Sequence, residues 1–357
     1  MPAITEPIEV VGGVDTHKRT HHAAVLNAAT GKLLGDREFT ATAAGYRQLL
    51  AWLVGFGAVL KVGVEGTGSY GVGLLRHLQA QQIQVIEVSR PNRQNRRRQG
   101  KSDPIDAINA ARSVLAETAT ATPKSKDGAV EAIRLIHTTR RSAVKARKAA
   151  IGQLHSLLVT APEQLRTKLA GHDRATLVDR CAGLRPDPAG DLHDPTFVAK
   201  SMLRRLARRI HSLDIEIGEA DTQLEQLTND TAPTLATVFG VGPVAAAQLL
   251  ATAGENPTRL GSEAALARLC GTAPIPASSG TTTRHRLHRG GDRQANAAIH
   301  MIVINRLRWH PPTKAYLERR IAEGKTKKEV IRCLKRAVTR EVYTAFKTDL
   351  PRPAMAA

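Results

Sequence analysis

The order of the apolar runs between Ile8 and Val88 narrows the fold more than any other feature of this chain. Ile8 to Asp15 is rich in Val and Gly, His21 to Leu26 is again strand-like, and Asn27 to Lys32 reads as a turn before Leu33 to Thr40. These stretches predict a three-stranded meander. The apolar period then changes: a helical pattern covers Ala43 to Val54, an apolar strand Val59 to Val64, a helix the region around Tyr70 to Gln81, and a strand Ile83 to Val88. Three strands followed by alternating helix and strand predict a mixed sheet flanked by helices.

That order is the one found in ribonuclease-H-like folds. Beyond it the chain turns helical. Val130 to Val159 places Val144, Ile151, Leu154 and Leu158 on one seam, which Arg147 interrupts. From Leu203 to Leu227, apolar residues at 203, 206, 210, 213, 217, 220, 224 and 227 alternate three and four apart, a seam that needs a partner helix. The two helices either fold back on each other across the Pro- and Gly-containing segment Ala161 to Pro195 or associate between subunits. A last region begins near Thr234, where Val238-Phe239-Gly240-Val241-Gly242-Pro243 separates two helical patterns. It reads either as a helix-hairpin-helix-like element whose Gly240 and Gly242 let backbone approach a DNA phosphate, or as a tight turn that touches nothing. The expected class is α/β plus all-α: an α/β domain over 1–122, a coiled-coil or helical linker over 123–232, and a mainly helical domain over 233–357.

Charge points to the partner. Lys and Arg number 52 against 32 Asp and Glu, a net charge of +20, which favours a polyanion, with nucleic acid leading. No apolar run approaches the roughly 18 to 20 residues a membrane span needs. Met1 to Val10 has neither the basic start nor the apolar stretch of a secretory signal, so the cytoplasm is the expected location. Cys181, Cys270 and Cys333 lie far apart without a Cys-x-x-Cys pair and are expected to be reduced thiols. Aromatic residues make up only 3%, leaving few rings to stack on unpaired bases, so phosphate contact is expected to dominate.

Asp15 and Glu65 each close an apolar strand, in Gly13-Val14-Asp15-Thr16-His17-Lys18 and Val62-Gly63-Val64-Glu65-Gly66-Thr67-Gly68. Ligand sites gather at such strand ends. A carboxylate close to the core is costly unless an ion or donors neutralise it. Asp103-Pro104-Ile105-Asp106 adds two acids three apart, able to share one helix face. Asp103 also reads as an N-cap with Pro104 at the first helical position, a role compatible with metal binding. Four acids over two strand ends and a helix start supply the hard oxygen ligands of a magnesium site. Arg90, Arg93, Arg96, Arg97, Arg98 and Lys101 stand just before them, placed to guide phosphate toward the metal. A second polar stretch, Pro274 to Gly280 with Ser278 and Ser279, leads into Arg284, Arg286, Arg289 and Arg293; alone it reads as a loop, because no serine activation is visible in the sequence.

Gly-Val-Asp-Thr-His-Lys, Val-Glu-Gly-Thr-Gly-Ser-Tyr and Lys101-Ser102-Asp103-Pro104-Ile105-Asp106-Ala107 together resemble the insertion-sequence one-ten family of transposases. Phe239 to Leu250, Leu269-Cys270-Gly271-Thr272-Ala273-Pro274 and the Ser279-Gly280 step resemble that family's C-terminal region. The resemblance implies a RuvC-like domain whose Asp15, Glu65, Asp103 and Asp106 bind magnesium, a coiled coil, and a C-terminal domain with Ser279 as nucleophile. Ser278 stands one residue away in the register. Gly291-Asp292-Arg293-Gln294-Ala295-Asn296 resembles a further motif, departing from it at Ala295-Asn296, where other members carry Leu-Arg. The implied activity is DNA strand exchange through a covalent phosphoserine, guided by a structured bridge RNA, by a dimer or tetramer that joins both centres at the nucleoid. The competing reading is a junction-resolving magnesium endonuclease that needs no serine.

Overall fold

The computed structural model describes residues 8–88, 102–256, 259–280 and 285–350. The meander forms as the alternation predicts: β1 (Glu9–Thr16) pairs antiparallel with β2 (Thr20–Asn27), and β2 with β3 (Leu33–Thr40). Asn27 fixes the second turn, its Oδ1 accepting from the amides of Ala29 at 3.0 Å and Thr30 at 2.8 Å. Helix α1 (Ala43–Val54), capped by the Thr42 hydroxyl, leads to β4 (Ala58–Glu65), which lies parallel to β1. Helix α2 (Val72–Ala80) then leads to β5 (Val85–Val88), parallel to β4. The strand order is β3-β2-β1-β4-β5, a five-stranded mixed sheet with β1 at its centre.

Alternation along β1 sorts its side chains between two faces. Val10 and Val14 join a core with Leu49 and Leu53 of α1 and Leu74 and Leu78 of α2. Val11 points the other way, to Ile86, Val88 and the residues Ala110 and Val114 of α3 (Asp103–Leu115). Helix α3 approaches that face closely because both central strands carry glycine beneath it. A Cβ at Gly13 would lie 2.2 Å from the Ala111 nitrogen and 2.3 Å from the Ala107 oxygen, and one at Gly63 2.6 Å from Val114 Cγ2.

Among the described residues one compact unit draws on Met1–Gly128 and Ala253–Ala265, the other on Ala129–Thr252 and Leu266–Leu350. Within the first, Asn256 Nδ2 donates to the Pro123 carbonyl at 2.7 Å and Arg259 Nε to the Thr122 carbonyl at 3.0 Å, fastening a distant stretch of sequence to the sheet domain.

In the second unit, α4 (Gly128–Val159) and α7 (Pro195–Thr231) fold back on each other. Arg140 Nε meets Asp221 Oδ1 at 2.5 Å and Arg147 pairs with Asp214, so an advance along α4 is matched by an equal retreat along α7, the register of an antiparallel pair. The arginine that interrupts the apolar seam is therefore a cross-helix ion pair. Leu203, Ile210, Ala220 and Leu224 of α7 are buried, as the three-four spacing predicts. On α4, Val144 departs from expectation and is exposed: Ala143 takes the inward position, and the next residue is turned about 100° around the helix.

The Pro- and Gly-containing segment between α4 and α7, Ala161 to Pro195, contains α5 (Glu163–Leu169) and α6 (Arg174–Ala182). These bury Leu165, Leu169, Leu177 and Cys181 against Leu154 and Leu203. Helices this short show too few repeats to read by period and owe their stability to that burial.

The rest comprises α8 (Pro233–Thr237), α9 (Pro243–Ala253), α10 (Glu263–Leu269), a hairpin of β6 (Pro274–Pro276) and β7 (His285–Leu287), then α11 (Arg293–Trp309), α12 (Pro311–Ala322) and α13 (Lys327–Asp349). The Asp349 carboxylate accepts from the amides of Thr234 at 3.0 Å and Leu235 at 2.8 Å, closing the start of α8. Buried Arg306 forks onto Glu341 at 2.8 and 2.7 Å and donates to the Phe239 carbonyl at 2.8 Å, pinning the turn between α8 and α9. No helix of the described residues is long and apolar enough to cross a membrane.

Candidate metal centre

Asp15 and Glu65 end neighbouring parallel strands, one step beyond the pairing of Val14 with Val64. Alternation assigns both to the face toward which Gly13 and Gly63 point, the face α3 covers. Because Ala107 and Ala111 of α3 lie over Gly13, its first turn, with Asp103 and Asp106, projects toward the strand ends. Two glycines thus set the site: they let a helix sit low enough for its first-turn acids to reach carboxylates on the sheet. The residue before α3, Ser102, is its N-cap, without a side-chain bond. Asp103 is the first helical residue, one position later than a capping role requires.

The tightest grouping contains a residue that the sequence did not single out. His17 Nδ1 lies 3.7 Å from Asp15 Oδ2 and 3.8 Å from Asp103 Oδ2, and donor atoms of Asp15, His17 and Asp103 all lie within 4.8 Å of one another. Its signal was its place two residues after Asp15, where the turn that follows β1 begins. Glu65 and Asp106 stand outside this group, each buried, at 9% and 5% exposure. Thr16 donates to the Glu65 carbonyl at 2.7 Å and locks the two strand ends together.

Electrostatics match this arrangement. Burial pushes the Asp15 carboxyl above its ordinary value; His17 opposes the rise, while Asp106 and Asp103 add to it as like charges. Gathered acids in a partly desolvated place are what a divalent cation relieves. Two carboxylates and an imidazole make a suitable donor set, so the cluster suggests a divalent metal site.

The other sequence-derived positions divide. Arg90, Arg93, Arg96, Arg97, Arg98, Lys101 and Arg284 lie outside the described residues. Ser278 and Ser279 are exposed on the stretch leaving β6, before Gly280 at φ +55. Arg286 and Arg289 line a cavity of about 560 Å3 with Ile275 and His288. Arg293 opens α11, whose cap Asp292 accepts from the amides of Gln294 and Ala295 and from the Thr252 hydroxyl at 2.7 Å. Gly240 adopts φ +83, and a Cβ there would meet the Ile302 carbonyl at 3.3 Å, whereas Gly242 faces open space. Asn296 proves to be a junction, its Nδ2 donating to the carbonyls of Cys270 at 2.8 Å and Gly271 at 3.0 Å.

Comparison with known proteins bears on both regions. The insertion-element IS900 uncharacterized 42 kDa protein of Mycobacterium paratuberculosis is 28% identical over 142 residues, 39% of this chain and 36% of that protein. The IS110 uncharacterized 43.6 kDa protein of Streptomyces coelicolor is 38% identical over 97 residues, 27% of this chain and 24% of its own length. The alignments thus span well under half of either relative. A DEDD transposase model of IS110, described as a transposase, matches residues 12–161, the stretch that holds the acidic cluster. A second model, described as a transposase of the IS116/IS110/IS902 family, matches residues 232–318. Two matches to one family, on separate stretches that together exceed half of the sequence, show that this chain belongs to the IS110 family of insertion-element transposases.

Proposed function

We propose that this protein is a DNA transposase that cleaves and exchanges strands at the ends of an insertion sequence, with Ser279 as nucleophile and magnesium at the acidic cluster. The observation that carries this reading is the convergence of Asp15, His17 and Asp103, from a strand end, the following turn and a helix start. Asp15, Glu65, Asp103 and Asp106 would hold the ion, directly or through its waters, since magnesium favours oxygen donors and keeps part of its hydration. When bound, magnesium supplies charge stabilisation to phosphate oxygens. His17, between Asp15 and Asp103, orients the two carboxylates.

Ser279 is exposed, so a phosphodiester has access to its hydroxyl. Its Oγ forms an ester bond to phosphorus as the bond to the departing sugar oxygen breaks; the hydroxyl loses its proton and the sugar oxygen gains one. Bond energy is retained in the phosphoserine for rejoining. Arg284, Arg286, Arg289 and Arg293 neutralise phosphate near the serine, while Arg90, Arg93, Arg96, Arg97, Arg98 and Lys101 draw DNA toward the acids. The family match and the strand order support a RuvC-like, ribonuclease-H-like fold for the first domain. The functional division is a metal-binding domain over 1–122, a coiled-coil domain over 123–232 and a serine domain over 233–357. The net charge of +20 with few aromatic residues supports a division of labour in which a bridge RNA reads sequence by base pairing and the protein holds backbones. The working form is a homo-oligomer, dimer or tetramer, at the nucleoid.

The test is incubation of purified protein with element-end DNA, the adjacent noncoding RNA and magnesium, followed by denaturing gels for covalent adducts. Ser279→Ala should abolish the adduct, Ser278→Ala should not, and Asp15→Ala should stop cleavage. Undiminished cleavage by Ser279→Ala would replace this mechanism with the hydrolytic endonuclease; normal cleavage by Asp15→Ala would remove the metal site.

A further inference from the structure

The second compact unit contains a basic groove of whose cations the proposed chemistry uses Arg286 alone. It has a volume of about 1020 Å3 and lies between the β6–β7 hairpin with the preceding Gly271–Pro274 and the first half of α13. Arg286, Lys325, Arg332, Lys335, Arg336 and Arg340 line it, against one carboxylate, Glu329. Glu329 is engaged locally: it accepts from the Thr326 amide at 2.9 Å in the capping box of α13 and lies 3.8 Å from Arg332. Positive charge between protein walls focuses the field on whatever enters.

Lys335 shows that the groove is a built feature. It is 8% exposed, and its ammonium donates to Asn296 Oδ1. Asn296 gives its Nδ2 hydrogens to the carbonyls of Cys270 and Gly271, so its oxygen is turned toward the lysine. Below, Thr339 donates to the Lys335 carbonyl at 2.8 Å and meets the Thr272 hydroxyl at 2.9 Å, fixing this stretch of α13 against the groove wall. Burial alone depresses the Lys335 pKa, and among the described residues no carboxylate forms an ion pair with it. A buried ammonium held by a neutral amide is costly, and an anion entering the groove offsets that cost.

The shape favours a repeating polyanion over a single phosphate. Arg332, Arg336 and Arg340 follow one another at intervals of about 6 Å along α13. Arg286 extends the line onto β7, and the loop between β6 and β7 carries Ser279. We propose that this groove binds the phosphate backbone of the DNA strand beside the scissile bond, with Lys335, held by Asn296, as its fixed anchor. This rests on the DNA-transposase reading, since the serine on the same hairpin makes DNA, rather than RNA, the occupant.

The experiment uses full-length Ser279→Ala protein, which separates binding from strand chemistry, and a labelled element-end duplex titrated by fluorescence anisotropy at several salt concentrations. Adding Lys335→Met should weaken binding roughly tenfold and reduce the slope of log affinity against log salt by about one. Its unfolding midpoint should not fall, because the change removes a buried charge. Exposed Arg332→Gln should give the same change in slope, and it decides the matter if Lys335→Met fails to fold. Unchanged affinity and slope in both variants would overturn the proposal, as would a loss seen with an RNA of equal length but not with DNA. Adduct formation by the protein with Ser279 intact is scored separately. An altered slope without any adduct sinks the serine mechanism and keeps the groove; an adduct with unaltered slopes sinks the groove alone.

Discussion

Replacing Gly13 by alanine should damage both stability and metal binding, because the added methyl has nowhere to go. Its Cβ would stand 2.2 Å from the Ala111 nitrogen, 2.3 Å from the Ala107 oxygen and 2.7 Å from Ala111 Cβ. Ordinary contact is about 3.5 Å, so α3 must retreat by more than about 1 Å, and its obstructing atoms are backbone that no rotamer change can move. Overpacking of this kind costs about 1–3 kcal/mol, and contact with two backbone atoms of one turn of α3 places Gly13→Ala at the upper end, near 3 kcal/mol. The retreat carries Asp103 away from Asp15 and His17, so divalent affinity should fall with stability. Gly12→Ala is the control: its Cβ faces the other side of the sheet, and its nearest neighbours are side-chain atoms of Leu53 and Val62, at 3.2 Å each, rather than backbone. Urea unfolding monitored by circular dichroism, with and without magnesium or manganese, reads both effects as midpoint shifts at constant slope. A wild-type protein that binds the ion at a hundred times its dissociation constant gains about 2.7 kcal/mol, and Gly13→Ala should lose most of that gain. If Gly13→Ala is as stable as Gly12→Ala and retains the metal-dependent shift, the account of the glycines as what seats α3 over the site is wrong.

Three further expectations concern the second unit. Gly152 lies inside α4 with nothing within 4 Å of where an alanine methyl would stand, so Gly152→Ala should stabilise the protein by about 0.5–1 kcal/mol in the same urea assay; a loss would show that helix to be packed there. Burial, aided by Arg141 and Arg140, holds the His137 pKa below its ordinary 6.5. The unfolded chain therefore takes up a proton near pH 6.5 that the folded chain refuses, so this contribution to stability is intact above that pH and lost as pH falls below it. His137→Gln should flatten that part of the midpoint-versus-pH curve, and an identical curve would refute the assignment. Of the three free cysteines only Cys333 is exposed, while burial pushes the Cys181 thiol up to about 11. An aromatic disulfide reagent at pH 8 should label one cysteine in the native protein and three after denaturation, and two or more native labels would contradict the burial.

Sequence patterns report what a segment does with its own neighbours, and that part of this protein was legible. Alternation gave β1 to β3, the change of period gave α1 to β5, and the three-four spacing from Leu203 to Leu227 gave the buried stripe of α7. Asp15 and Glu65 were visible because each closes an apolar run, and Asp103 and Asp106 because they open a helix. Short helices α5 and α6 escaped, having too few turns to display a period.

The sequence by itself determined the element order, the basic charge and the acids at strand and helix ends, all of them properties of consecutive residues. Only the tertiary structure decided which of them meet. The parallel pairing of β1 with β4 sets Asp15 beside Glu65, and Gly13 and Gly63 bring α3 down upon them. His17 joins the acids from the turn that follows β1. Arg147, an interruption in one helix's seam, becomes sensible only against Asp214 of another. Asn296 and Lys335, from α11 and α13, form one anchor for the same reason: contact between distant segments depends on how closely backbones can approach, and no local period encodes that distance.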